Sequence, residues 1–338
     1  MPTAWIRPLA LATTLWFVSA CGALGASERF TPTARPILLP AGEGAHVLFD
    51  GGRVSKVVGA EEEWSLASES TAPRPSAAGF DLASSGWACV GYADRLAFLQ
   101  LGAKRVRWAP SPSQGLHRSI AVRDELAAVN DGRVVHLVEV PSGERLERLD
   151  AGSFLKQLGQ DEIDHAEPLS DAELLLITSR SVGAMTDGRT IALRVERAPA
   201  GWTIQHQNRL PSLTWADQCV SSGGKLYVAG IFESSNPSAD RRRIELRQQL
   251  SVVAIDTQTL RITELVRLDH VPPTVVRGVA VGVDELAVLL APGEVRIFAL
   301  ADGRELRRQN YARADAIAWV GPKRWVVRAG DASVTLTY

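Results

Sequence analysis

Six positions hold the same place in a repeated pattern along this chain: Trp87, His117, His165, Asp217, Arg277 and Ala316. Five of the six are aromatic or polar, and Arg118, Asp164, Trp215 and Asp315 stand beside them. Gathered at one place, such side chains could grip a partner: an arginine fork matches a carboxylate bidentately, and tryptophan offers a rigid apolar body with one polar handle. A second group is the basic run Arg241, Arg242 and Arg243, followed by Arg247, inside "ESSNPSADRRRIELRQQ" (233–249). A third is "QDEIDHAEPLSDAE" (160–173), with six carboxylates in fourteen residues around His165. A hard cation could use those oxygens, but the Asp-x-Asp-x-Asp-Gly spacing is absent and the segment reads as a solvated acidic loop.

Reaction chemistry is harder to place. There is no Cys-x-x-Cys or His-x-x-x-His for zinc. There is no Gly-x-Ser-x-Gly elbow and no glycine-rich phosphate loop before a helix. No catalytic residue, metal or cofactor is assigned, and the expectation is a non-enzyme. The 37 basic residues are matched by 38 acidic ones, a net charge of −1. Nucleic acid as the main ligand would need concentrated positive charge, so it is excluded as a partner.

The elements that must position these residues are short strands. "VLFDGGRVSKVV", "LAAVNDGRVVHLVEVPSGERLERL", "LAPGEVRIFALADGRELRRQ" and "VVRAGDASVTLT" each join apolar strands through glycine-containing turns, as hairpins do. "EVPSGERLE", "AIDTQTLRI" and "ALADGRELR" add a second turn leading to a more polar outer strand. Helical periodicity is nearly absent, with "DRRRIELRQQL" the one short exception. An eight-residue strand-turn-strand unit recurs as "CVGYADRL", "SIAVRDEL", "EPLSDAEL", "CVSSGGKL", "VAVGVDEL" and "AWVGPKRW". Each ends on an anchor, Leu96, Leu126, Leu174, Leu226, Leu286 or Trp325, and the six polar or aromatic positions lie nine residues upstream.

This spacing resembles the WD-repeat and PQQ-type β-propeller superfamily. The resemblance implies an all-β fold of about seven four-stranded blades, six or eight being possible. "PILLPAGEGAHVLFDGGRVSKVVGAEEEWSL" reads as one more blade, and the last shows only three strands. A strand near Phe30 would complete it and close the ring between the two termini. WD-type Gly-His and Trp-Asp pairs are missing, and the PQQ-type turn is met only at Ser142-Gly143 and Asp302-Gly303. Neither the vicinal cysteines of PQQ-dependent dehydrogenases nor the Ser-x-Asp-x-Gly-x-x-Trp boxes of sialidases occur. In the propeller alignment Cys89 and Cys219 share the innermost strand of blades three apart, too far for a disulfide, and are expected as free, buried thiols.

The N-terminus supplies an address. Arg7 precedes an apolar stretch from Pro8 to Ala20, too short to span a bilayer. Val18-Ser19-Ala20-Cys21 resembles the lipobox of bacterial lipoproteins, which implies lipidation of Cys21 and, with Gly22 following, an outer-membrane site. Cleavage after Ala26, giving a soluble periplasmic protein, is the alternative. The expected division is a signal peptide over 1–20, a tether and possible closing strand over 21–35, and one propeller over 36–338. By fold and address the nearest analogue is the propeller lipoprotein of the outer-membrane barrel assembly machinery. The expected function is thus a lipid-anchored module binding envelope proteins through its loop face. Two other readings stay open: a metal-dependent lactonase- or hydrolase-like enzyme, and a soluble periplasmic ligand sensor.

Overall fold

Apolar strands recur throughout the computed structural model, which describes residues 35–338 apart from 51, 73, 82–84, 102, 141, 181–189, 212, 214, 238–243 and 271–274. They form seven antiparallel sheets, each built from strands consecutive in sequence. Blade 1 holds β1 to β4 (Ile37–Pro40, Ala45–Asp50, Arg53–Val58, Glu61–Ala67). Blade 2 holds β5 to β8 (Ala77–Asp81, Trp87–Gly91, Arg95–Gln100, Val106–Pro110), and blade 3 holds β9 to β12 (Ser119–Arg123, Leu126–Asn130, Val134–Glu139, Arg145–Asp150). A short helix, α1 (Gly152–Leu158), leads to blade 4 with β13 to β16 (Glu162–Pro168, Glu173–Ser179, Thr190–Ala198, Gly201–Leu210). Blade 5 holds β17 to β20 (Trp215–Ser222, Lys225–Pro237, Ile244–Asp256, Ile262–His270). Blade 6 holds β21 to β24 (Val276–Val281, Glu285–Leu290, Glu294–Ala299, Glu305–Asn310), and blade 7 holds β25 to β27 (Ala314–Gly321, Arg324–Ala329, Ala332–Thr337).

The middle strands explain why the sequence reads as continuous apolar runs. In β14, Leu174 and Leu176 point into a core shared with blade 3, while Leu175 and Ile177 point into one shared with blade 5. Alternate side chains leave a strand on opposite faces, and both faces of a blade are covered. Each fully buried leucine is worth roughly 1.5–3 kcal/mol in surface removed from water. Outer strands bury far less, and in β24 only Leu306 and Gln309 are half-buried, which accounts for its largely polar Glu-Leu-Arg-Arg-Gln-Asn sequence. The three second turns join β11 to β12, β19 to β20 and β23 to β24, as the sequence predicts.

Three expectations are corrected here. The innermost strand of blade 2 is β5, and "CVGYADRL" joins its second and third strands. The five other units do join first and second strands. Cys89 therefore lies in a second strand and Cys219 in a first; they share no column, though both thiols are free. The innermost strand was obscured by its own packing. An atom added at Gly79 would lie 2.6 Å from the Ala121 Cα, so close approach of β5 and β9 selects the weak strand sequence "AAGFD".

Helix formation is the second correction, since Ile244 to Leu250 of "DRRRIELRQQL" belong to β19. The helix is instead α1, whose Leu155 is buried in the blade 3–4 core and whose last turn is stopped by Gly159 at φ 65°. Seven residues are too few to display a period. The third correction concerns 160–173, which is largely inner strand rather than solvated loop: Asp164, His165 and Glu167 of β13 are buried. Cys21 and the closing strand near Phe30 lie outside the described residues; within them, blade 7 has three strands.

Candidate functional site

Every innermost strand runs from one face of the ring to the other, so the residues at its start gather around one mouth of the central channel. The cavity there is about 160 Å³. Arg118, His165, Asp217 and Arg277 all line it, with Asp164, Asp315 and Ala316 beside them. Blade order thus converts positions some fifty residues apart into neighbours.

Most of these charges are paired. Arg118 reaches across from blade 3 to blade 4, where its Nη2 lies 2.5 Å from Asp164 Oδ1 and 3.3 Å from Glu162 Oε1. Burial alone would lower the Arg118 pKa, but Asp164, Glu162 and Asp217 outweigh it and hold it above the usual arginine value. His165 Nε2 sits 3.3 Å from Glu167 Oε2. Asp217 Oδ2 accepts the Val276 N–H at 3.0 Å, tying blade 5 to blade 6. On blade 7, burial raises the Asp315 pKa, and Arg328 and Arg74 pull it back only in part. Between blades 4 and 6, the half-buried Cys219 faces the same cavity. Burial and the charges of Asp164, Glu167 and Asp217 push its thiol well up, so it is a poor nucleophile.

Two expected members of this ring are elsewhere. Trp87 opens β6, opposite Asp81 at the far end of β5, so it belongs to the other face and packs against the blade 2–3 core. Its displacement follows from the one-strand shift in blade 2. His117 is fully buried between blades 2 and 3, with Nε2 3.1 Å from the Tyr92 carbonyl and its backbone N–H donating to Ser76 Oγ at 3.0 Å. Gly91 leaves room for its ring, since a Cβ there would stand 2.4 Å from the imidazole. His117 is a clasp between blades, and the next residue, Arg118, is the one that enters the channel.

Arg35 and Gln218 line the channel but carried no signal of their own, and Glu167, one of the acidic run 160–173, lines it from an inner strand rather than a loop. Arg35 precedes β1 in a stretch that reads as tether. Its guanidinium nonetheless crosses to the far side of the ring, donating to the Arg277 carbonyl and, at 3.2 Å, to Gln218 Oε1.

The fifth blade adds a projecting arm. Pairing of β18 with β19 continues from Phe232–Gln249 to Pro237–Ile244, beyond Ile231, the last residue of β18 paired with β17. Because Ile231 faces Trp215 at the start of β17, the arm rises from the channel-mouth face. Arg267 stacks over the Phe232 ring at 4.4 Å and donates to Gln249 Oε1 at 2.8 Å, stiffening the base. Arg247 pairs by backbone with Ser234 inside the arm, while Arg241, Arg242 and Arg243 lie outside the described residues.

No family model and no curated protein matches the chain. Solved structures do. BamB from Moraxella catarrhalis is similar with a TM-score of 0.51 at 15% identity, over 91% of this chain and 98% of that one. The β-propeller domain of Myceliophteria thermophila Cps50 (Swd1) gives 0.60 at 11%, over 92% and 98%. The computationally designed Ika8 protein gives 0.54 at 12%, again over 92% and 98%. At such identities the likeness is one of architecture, and with seven sheets in sequence order it makes the chain a seven-bladed β-propeller.

Proposed function

We propose that this protein is an envelope-located interaction scaffold, held to a membrane by lipid on Cys21, that captures a protein partner on its channel-mouth face. One observation carries the reading: the polar channel mouth and the projecting blade 5 arm share a single face, although they come from distant parts of the sequence. A rigid ring that presents loops side by side is suited to binding, and the arm's arginines suit carboxylates on the partner. No reaction is assigned to it. BamB and Cps50 (Swd1) share the architecture, but an architecture does not fix a function, and it is the face that supports the reading.

Two experiments test the reading. Cys21→Ser should move the protein out of the membrane fraction; a variant that fractionates like the wild type removes the anchor. Capture from envelope extracts should weaken, and lose salt sensitivity, when Arg241, Arg242 and Arg243 are replaced by Ala. Stability should change by less than about 0.5 kcal/mol, as for surface substitutions. Undiminished capture by both this variant and Trp215→Ala would move the interface to another face.

A further inference from the structure

A second cavity, of about 360 Å³, opens over the seam between blades 3 and 4. Helix α1 carries the chain from the outer strand of blade 3 to the first strand of blade 4, so this cavity lies on the channel-mouth face but apart from the channel. Leu155, buried in the seam, lines it together with Gly152 and Gly159. Three elements bring donors to it: Arg133 from the turn between β10 and β11, Lys156 from α1, and Gln160 from the link into β13. Arg133 and Lys156 are exposed, and among the described residues neither side chain has an ion-pair or hydrogen-bond partner. Asp161 and Arg180 also line the cavity, but both already have partners and the site does not depend on them. Gln160 is the decisive residue. It is 4% exposed and its Oε1 accepts the Thr178 hydroxyl at 3.4 Å, while its Nε2, equally buried, has no acceptor within the protein.

A buried amide N–H without an acceptor is costly to a fold. An oxyanion seated between Arg133 and Lys156 would supply that acceptor and gain two charge-assisted contacts. Because the donors come from three separate elements, they can meet several oxygens at once, which suits tetrahedral phosphate better than the planar pair of a carboxylate. The volume falls within the roughly 300–1,000 Å³ of small-molecule sites, so room remains over Leu155 for the body of an ester. We propose that this cavity binds a phosphomonoester, with Arg133 and Lys156 holding the phosphoryl group and Gln160 orienting it. Such a site goes beyond partner capture and stands whether or not the scaffold reading holds.

Calorimetric titration of the purified full chain in phosphate-free buffer at fixed ionic strength tests it. Glycerol 3-phosphate and dihexanoyl phosphatidic acid, the latter below its micelle concentration, serve as separate probes, with inorganic phosphate for comparison. At least one ester should bind saturably at one site per chain, and at least about fivefold more tightly than inorganic phosphate. Arg133→Gln and Lys156→Gln, both at exposed positions, should each raise its Kd at least about fivefold. Gln160→Leu, which keeps the size and removes the donor, should raise it at least about threefold without lowering the urea midpoint. Arg304→Gln, on an outer turn of blade 6, should change the Kd less than twofold. Tighter binding of glycerol 3-phosphate assigns the site to a soluble ester, and tighter binding of the phosphatidic acid assigns it to a lipid headgroup. Absence of saturable binding for both esters, or binding that any of the three cavity variants leaves intact, overturns the site. Inorganic phosphate binding as tightly as the esters would make it an adventitious ion only, which also overturns it.

Discussion

Three histidines are held neutral by burial. The His117 pKa is pushed down to about 4, mainly by burial and despite its bond to the Tyr92 carbonyl; His46 and His136 are lowered too, with burial again the leading cause. In the unfolded chain each titrates near its ordinary 6.5. Below that pH the unfolded state takes up protons that the fold refuses, so stability is complete above about pH 6.5 and declines as pH falls. For His117 the loss is on the order of 3 kcal/mol by pH 4. Urea midpoints should therefore be flat from pH 7 to 8 and fall between pH 6.5 and 4.5, before most carboxylates protonate. His117→Gln should lower stability at pH 7 yet make the profile shallower, whereas an unchanged slope would mean that this ring does not stay neutral in the fold.

At the scale of elements, the turn between third and fourth strands repeats with its chemistry intact. Gly143 at φ 74° and Gly303 at φ 69° occupy equivalent places, and each packs on the outer part of the preceding blade. A Cβ on Gly303 would fall 1.7 Å from the Leu265 carbonyl oxygen, which is backbone and cannot turn aside. Gly303→Ala should cost at least about 2 kcal/mol, from strain in the left-handed region and the clash together, measurable by urea unfolding. This turn was legible because Asp302-Gly303 advertises it, as Ser142-Gly143 does. Second and third strands were legible for a related reason: their branched apolar residues fill cores on both sides. The innermost strand of blade 2 was not, because the narrow centre demands small residues such as Ala77, Ala78 and Gly79. Among site residues, Arg118, His165, Asp217 and Arg277 followed from the repeat, whereas Arg35 lies before the first repeat and only the closed ring brings it to Gln218.

At the scale of the ring, the seam between blades 7 and 1 is the thinnest join among the described residues. Its buried core is Leu38, Ala316, Ala318, Val320 and Val326, where the other seams bury ten or more residues. Polar bridges reinforce it: Gly44 N–H donates to the Val320 carbonyl, Arg328 pairs with Asp50, and Arg324 pairs with Glu43 at 2.7 Å. The two ion pairs differ in worth. Arg328 is 5% exposed and Arg324 38%. Arg328→Ala should cost about 2 kcal/mol, because it removes the buried cation and leaves Asp50 only the more exposed Arg74 at 3.6 Å, and Arg324→Ala less than about 1 kcal/mol. Equal losses would show that the seam is not held by its buried charge. Both bridges join residues about 280 positions apart, 278 for Arg328 with Asp50 and 281 for Arg324 with Glu43. Closure must therefore wait for blade 7, however early the first blades form. Among the described residues, Leu38 of blade 1 is covered on that side only by blade 7, and loop-closure entropy makes this docking step slow. A chain interrupted shortly before residue 314 would hold six well-paired sheets and an open, sticky gap, so its vulnerability to aggregation should peak once six blades have emerged rather than at the start of synthesis.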